Sequence, residues 1–202
     1  TFQVGVSGGD TLVRMETIGK VVLTGYLSRL LSHASLMSLI ADAADPSGIT
    51  EVMVDPNDSL AVAGSISKLG TAVEFESHLK PVGLLVSPGR NEERVGPKRA
   101  FIGATDPMEA LPVEPDGVSV ESVEHVPGLQ VVVNPPNNRV DFGEGEGRKA
   151  RRGVPPGFSS IYLDGRSKRA RTEATAKDVQ RWYRGMKVFP NDVISGWEGG
   201  RQ

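Results

Sequence analysis

"EVMVDPNDSLAVAG", residues 51–64, is an apolar run that stops at Asp55, makes a Pro-Asn-Asp-Ser turn and restarts as a periodic segment near Ala61. A β-branched run before the turn and capping residues inside it make this a strand feeding a helix. Backbone N–H groups at such a turn point outward from the helix start and can hold an oxyanion or a phosphate. Either the turn serves chemistry or it serves only the fold.

Upstream, IGKVVLTG (18–25) predicts a strand ending in Thr-Gly. In the next stretch Leu27, Leu30, Leu31, Ala34, Met37, Ile40 and Ala44 recur at helical spacing, with Ser28 as the cap and Pro46 to Gly48 as the stop. Downstream, a helix is predicted from about Ala61 to Leu79, with Val62, Ile66, Leu69, Val73 and Leu79 on one face. Lys80-Pro81 then opens the strand VGLLV (82–86). Strand, helix, strand, helix, strand with unbroken apolar strands argues an α/β fold whose parallel sheet is joined by crossover helices.

Beyond Ser87 the pattern loosens. SPGRNEERVGPKR (87–99) predicts a polar loop, AFIGATDPM (100–108) a short helix, and ALPVEPDGVSVESV (110–123) short strands and turns. LQVVV (129–133) predicts a further strand. Residues 134–157 are rich in Gly, Pro and charge and predict a mobile loop. TAKDVQRWYRGMKVF (175–189) predicts a helix capped by Thr175 that docks through Val179, Trp182 and Tyr183. Three segments result: an α/β core over 1–138, a basic Gly/Pro-rich loop region over 139–174, and a closing helix and tail over 175–202.

The absence of cysteine excludes a disulfide scaffold, a thiolate zinc site and a cysteine nucleophile. His33, His78 and His125 stand far apart, outside HxxxH or HExxH spacing, so no metal site is expected, and no cofactor. There is no GxxxxGK[ST] loop and no GxSxG elbow. GEGEG (143–147) has phosphate-loop glycines, but its two glutamates repel phosphate, and it reads as a flexible linker. No apolar run reaches the roughly 18 residues that span a membrane. A water-soluble protein, cytoplasmic or virion-associated, is the expectation. Basic residues concentrate after residue 138 and acidic ones before it. The cluster GRSKRAR (165–171) has charges for nucleic-acid phosphates, but no interleaved aromatics, and Asp164 and Glu173 flank it. A solvated basic helix on an acidic body is the competing reading.

Taken in order, VRMETIGKVVLTGYLSR (13–29), ITEVMVDPNDSLAVAGSISKLGTAV (49–73) and HLKPVGLLV (78–86) resemble the core of signal peptide peptidase A and of the phage head-maturation proteases of the same clan. Val62-Ala63-Gly64 and Lys80-Pro81-Val82 match that family's motifs directly. AFIGATDPMEALPVEPDGVSV (100–120), LQVVVNPPNNRVDFG (129–143) and RGMKVFPNDVISGWEGG (184–200) resemble later family motifs, so the likeness covers most of the chain in order. The resemblance implies a ClpP/crotonase-like fold, a peptide or protein substrate, a homo-oligomer, and a serine–lysine peptidase. In such an enzyme a neutral, desolvated lysine takes the serine's proton and backbone amides hold the oxyanion.

Three parts of that machinery are missing. The nucleophile position falls on Lys98, and residues 88–104 contain no Ser, Thr or Cys, so a slip of a few residues does not restore it. The general-base position falls on Arg139, and a guanidinium is a poor proton acceptor near neutrality. The oxyanion glycines fall on Ser59 and Leu60, with Asp58 adding negative charge beside them. The expectation is a non-catalytic peptidase-like protein. Two alternatives stay open: an active enzyme with a displaced dyad (Ser87, Ser119 or Ser122 with Lys98 or Lys149), and a capsid-assembly or binding protein with a basic tail.

Overall fold

The computed structural model describes residues 18–67, 78–88, 97–124 and 126–187. The stretch quoted above begins inside strand β2 (Ser47–Val54). Ile49 and Met53 face one side of that strand, and Val52 and Val54 face the other. Both sides are apolar because β2 lies in a middle layer.

That layer is a five-stranded sheet. It comprises β1 (Lys20–Leu23), β2, β3 (Lys80–Pro88), β6 (Val118–Ser122) and β9 (Ser160–Asp164), in the order β1-β2-β3-β9-β6. Helices α2 (His33–Ala43) and α5 (Ala176–Gly185) cover one face, where Leu36, Met37, Ile40 and Trp182 meet Val52, Val82, Leu85 and Tyr162. A second, antiparallel sheet of β5 (Glu109–Leu111), β4 (Arg99–Gly103), β7 (Gln130–Asn134) and β8 (Ala150–Gly153) covers the other. Here Ala100, Ile102, Val131 and Val133 pack against Ile49, Leu84, Val86 and Leu163. The result is an α/β protein of three layers, helix on sheet on sheet.

The expected parallel sheet is corrected to a mixed one. β1 and β2 are parallel, joined through α1 (Tyr26–Leu30) and α2, and β3 and β9 are parallel. β2 and β3 run antiparallel, from Ser47 opposite Pro88 to Val54 opposite Lys80. Continuous apolar strands report burial on both faces, and for the antiparallel β2–β3 pair a helix layer and a second sheet supply it without a parallel crossover between the two.

Other expectations shift locally. The single helix expected over 27–44 is two, because Ser32 caps α2 through the Ser35 N–H while the Ser28 hydroxyl donates to Gly25 O and caps nothing. AFIG, expected to be helical, is strand β4. α3 (Ser59–Ser67) is present, and the rest of its expected length, residues 68–77, lies outside the described residues. The 139–174 region is not a loop: it contributes β8, β9 inside the first sheet, and α4 (Lys168–Thr172). GEGEG is a folded turn rather than a linker, its Gly143 and Gly145 N–H groups donating to the Asp141 carboxylate at 2.7 and 2.9 Å. Thr175 caps α5 as expected, and the structure adds a capping box with Asp178, but of the expected docking residues Trp182 is buried while Val179 and Tyr183 stay exposed.

A bulge in β3 fixes its register. Val52 pairs with Gly83 and Met53 with Pro81, so Val82 is extra. A β-carbon at Gly83 would stand 2.5 Å from Ser160 Oγ and 2.7 Å from Ser160 O. Gly83→Ala should therefore destabilise the protein by about 1–3 kcal/mol through overpacking, read as a lowered urea midpoint.

Candidate functional site

The β2–α3 turn is occupied by the chain itself. Asp55, the last residue before the turn, has no exposed surface. Its carboxylate accepts from the Leu60 N–H at 2.7 Å, the Ser59 hydroxyl at 2.8 Å and the Asn57 N–H at 3.4 Å. These are the donors that an anion bound at the start of α3 would use. A fixed internal carboxylate therefore takes the place of a ligand. Burial pushes the Asp55 carboxyl up, but the bonds from Leu60, Ser59 and Asn57 outweigh it and leave the pKa below the ordinary aspartate value.

The neighbouring turn is stitched to this one. Asp58 adopts a left-handed backbone, φ 53°, and its carboxylate accepts from the Gly25 N–H at 2.7 Å and the Thr24 hydroxyl at 3.0 Å. Arg29 of α1 pairs with it at 2.9 Å. The Gly25 N–H, the Thr24 hydroxyl and then Arg29 hold the Asp58 carboxyl below its usual range. Thr24-Gly25, the expected strand ending, thus donates to Asp58.

The pH dependence follows from these two lowered pKa values. A carboxyl with a depressed folded pKa contributes stability above its unfolded value, about 3.9, and loses it as pH falls through the folded value. Stability should be flat near neutrality and fall below about pH 4. Asp55→Asn should shallow that acid limb, as urea unfolding at stepped pH would show.

Among the described residues, no hydrogen bond joins Lys98 to this turn. Lys98 is exposed just before β4, its N–H donating to Asn134 O at 2.9 Å. Arg139 is exposed in the loop after β7, its N–H donating to Asn137 Oδ1 at 2.8 Å. Lys98 thus lies at the end of the second sheet where β7 finishes. Ser59 and Leu60 are at the turn, both as donors to Asp55. Ser87 is fully buried in β3, opposite Gly48. The buried Ser119 hydroxyl donates to Pro112 O at 3.1 Å, and Ser122 is exposed at the end of β6. Lys149 is exposed before β8. Among the described residues, no hydrogen bond joins Lys98 or Lys149 to any of these serines. No group of three His, Cys, Asp or Glu able to hold a metal occurs among them either, and His125 lies outside them.

The basic cluster at 165–171 is largely engaged within the fold, through Arg166, Arg169 and Arg171. Asp164 ends β9 fully buried and accepts from Arg166 Nε and Nη2 at 2.9 Å each and from Arg171 Nη2 at 2.7 Å. Arg166, 2% exposed, also pairs with Asp42 of α2 at 2.7 Å and lies 4.9 Å over the Trp182 ring. Arg171 reaches Asp45 at 3.0 Å and Ala41 O at 2.9 Å, so α4 is strapped to the end of α2. Arg169 pairs with Glu173 at 2.8 Å. Burial pushes the Arg166 guanidinium down, and the bond and charge of Asp164 more than reverse that, holding it protonated. A cavity of about 310 Å³ borders Asp42, Asp45, Arg166, Arg171, Thr172 and Trp182. Its charged groups are already paired with one another. The only sequence signal for this network is an Asp at a strand end followed by Arg two and seven residues on.

No helix of the described residues is long and apolar enough to cross a membrane. No protein-family model matches the chain, and neither the curated proteins nor the solved structures contain a match to it.

Proposed function

We propose that this chain is a binding or assembly protein that does not hydrolyse peptide bonds. The observation carrying the proposal is the Asp55 carboxylate seated on the Leu60 N–H and the Ser59 hydroxyl. A turn that already holds a fixed negative charge repels a developing oxyanion instead of stabilising it. Lys98 and Arg139, in the places of the family's nucleophile and base, add support, since neither side chain can perform the role its position requires.

The likeness to signal peptide peptidase A is kept in this proposal for the two strand–turn–helix units, β1–α1 and β2–α3. The antiparallel β2–β3 pair departs from the ClpP/crotonase-like arrangement that the likeness implies. The displaced-dyad alternative needs a reachable serine with a base beside it. Ser87 has no exposed surface, the Ser119 hydroxyl is engaged with Pro112, and Ser122 has no basic partner among the described residues.

Prolonged incubation with a diverse peptide library, read by mass spectrometry, should leave the library intact. New peptide termini that disappear in Ser122→Ala or Ser87→Ala would overturn the proposal.

A further inference from the structure

The outer face of the four-stranded sheet carries a set of cations around an aromatic ring, with no ion-pair partner among the described residues. Strand register defines that face. Ala100, Ile102, Val131, Val133 and Ala150 point into the core. The intervening residues therefore point away from it. Ala110, Phe101, Val132 and Arg151 form one row across the four strands, in which Val132 is buried at 3% exposure while Phe101 is partly exposed and Arg151 exposed, and Arg99 and Asn134 form the next. Gly103, Gln130 and Gly153 complete the outward positions. No outward position holds a carboxylate.

Phe101 is partly exposed, and Arg99 and Arg151 are exposed. Arg99 stands two residues along the same strand from Phe101, about 7 Å away, and Arg151 two strands across, about 10 Å away. β4 and β8 both run antiparallel to β7, so they start at the same end of the sheet. That brings the exposed Lys98 and Lys149, each just before its strand, to the end where Arg99 lies. None of these four cations makes an ion pair among the described residues. Glu144 and Glu146 are exposed in the loop before Lys149 and offset part of the charge at that end.

We propose that this face binds single-stranded nucleic acid, with a base stacked on Phe101 and the backbone phosphates on Arg99, Arg151, Lys98 and Lys149. Charge complementarity selects an anionic polymer. The aromatic among the cations selects one with flat bases, because stacking and phosphate contact together are what single-strand platforms use. Cations on an edge strand also guard against edge pairing, which would account for Arg151 on β8. It does not account for Arg99 and Phe101, which lie on the interior strand β4. This inference rests on the chain being a binding protein, yet its readout is separate: peptide turnover would sink the proposed function without touching strand binding, and the reverse.

The test is fluorescence anisotropy of a labelled short oligouridine with the full chain, from about 50 to about 200 mM salt. Binding should weaken with salt along a log–log slope of roughly −2 to −3, the value for three to four phosphates on a single strand. The double reversal Arg99→Glu, Arg151→Glu should flatten that slope and weaken binding by roughly a hundredfold at the lower salt. Phe101→Leu should weaken binding roughly tenfold, whereas Phe101→Trp should keep it. Thermal melts would establish that each variant is folded, and Lys149→Glu, outside the sheet, gives a second charge variant if the double reversal is not. Absence of salt-dependent binding overturns the proposal. So does equal affinity for a duplex with Phe101→Leu silent, which would leave only phosphate attraction. Displacement by polyglutamate at matched charge, again with Phe101→Leu silent, would assign the face to an acidic peptide instead.

Discussion

Asp164→Ala is expected to lower the free energy of unfolding by about 3–5 kcal/mol, the largest single-site loss expected for this protein. Asp164 is fully buried and accepts hydrogen bonds from two arginines that are themselves largely buried. Its loss leaves Arg166 with Asp42, which is 51% exposed, and leaves Arg171 with Asp45 and a carbonyl. The cost is the desolvation of guanidiniums whose main counter-charge has gone, not the worth of one contact. Asp42→Ala, which removes only the half-exposed partner, should cost less than about 1 kcal/mol. Urea unfolding of both variants gives the comparison. If Asp164→Ala does not fold, Asp164→Asn retains one acceptor oxygen and reports the same charge loss. Equal midpoints for Asp164→Ala and wild type would show that the network is not what straps α4 to α2.

The second large effect is at Asp55. Asp55→Ala should cost about 2–3 kcal/mol, because it strips the acceptor from the Leu60 N–H and the Ser59 hydroxyl at the start of α3. Asp55→Asn keeps one acceptor oxygen and should cost about half as much. The loss is local, so amide exchange should accelerate at Leu60 and through α3 before it does in β2 or β3. Uniform acceleration across the first sheet would mean that Asp55 supports the core directly rather than the helix start.

Much of this arrangement is readable in advance, and the failures have physical causes. The apolar runs of β1, β2, β3 and β7, the stripe of α2 and the cap at Thr175 are local patterns, and each appears where its pattern points. Strand direction is not local. Nothing in VGLLV distinguishes a parallel neighbour from an antiparallel one when both faces are buried, so the β2–β3 pairing is out of reach of a linear reading. Short strands are equally opaque. AFIG is too short for its period to separate strand from helix, and ARRG has one apolar side chain and reads as a charged loop. β9 places only Ile161, Tyr162 and Leu163 between polar flanks, yet it lies inside the first sheet with a neighbour on each side.

The site follows the same division. That the PNDS turn could hold an anion is legible in its composition. That Asp55 is the anion needs the turn's actual path, which bends the Leu60 N–H back onto the strand end. The Asp164 network escapes the sequence because its partners on α2 and just after it, Asp42 and Asp45, lie more than a hundred residues away. A run of four arginines and lysines within seven residues looks like a surface cluster until the acids that neutralise it are brought beside it.

The most direct measurement of the central claim is an NMR titration of the Asp55 side-chain carboxyl carbon, followed together with the Leu60 amide proton. An internal carboxylate bound to the helix start predicts an Asp55 midpoint below the ordinary aspartate value of about 3.9, with the Leu60 amide shifting at the same midpoint. A midpoint at or above that value, with a Leu60 amide that does not follow it, would mean that the turn is open, and the reading of this protein as non-catalytic would lose its foundation.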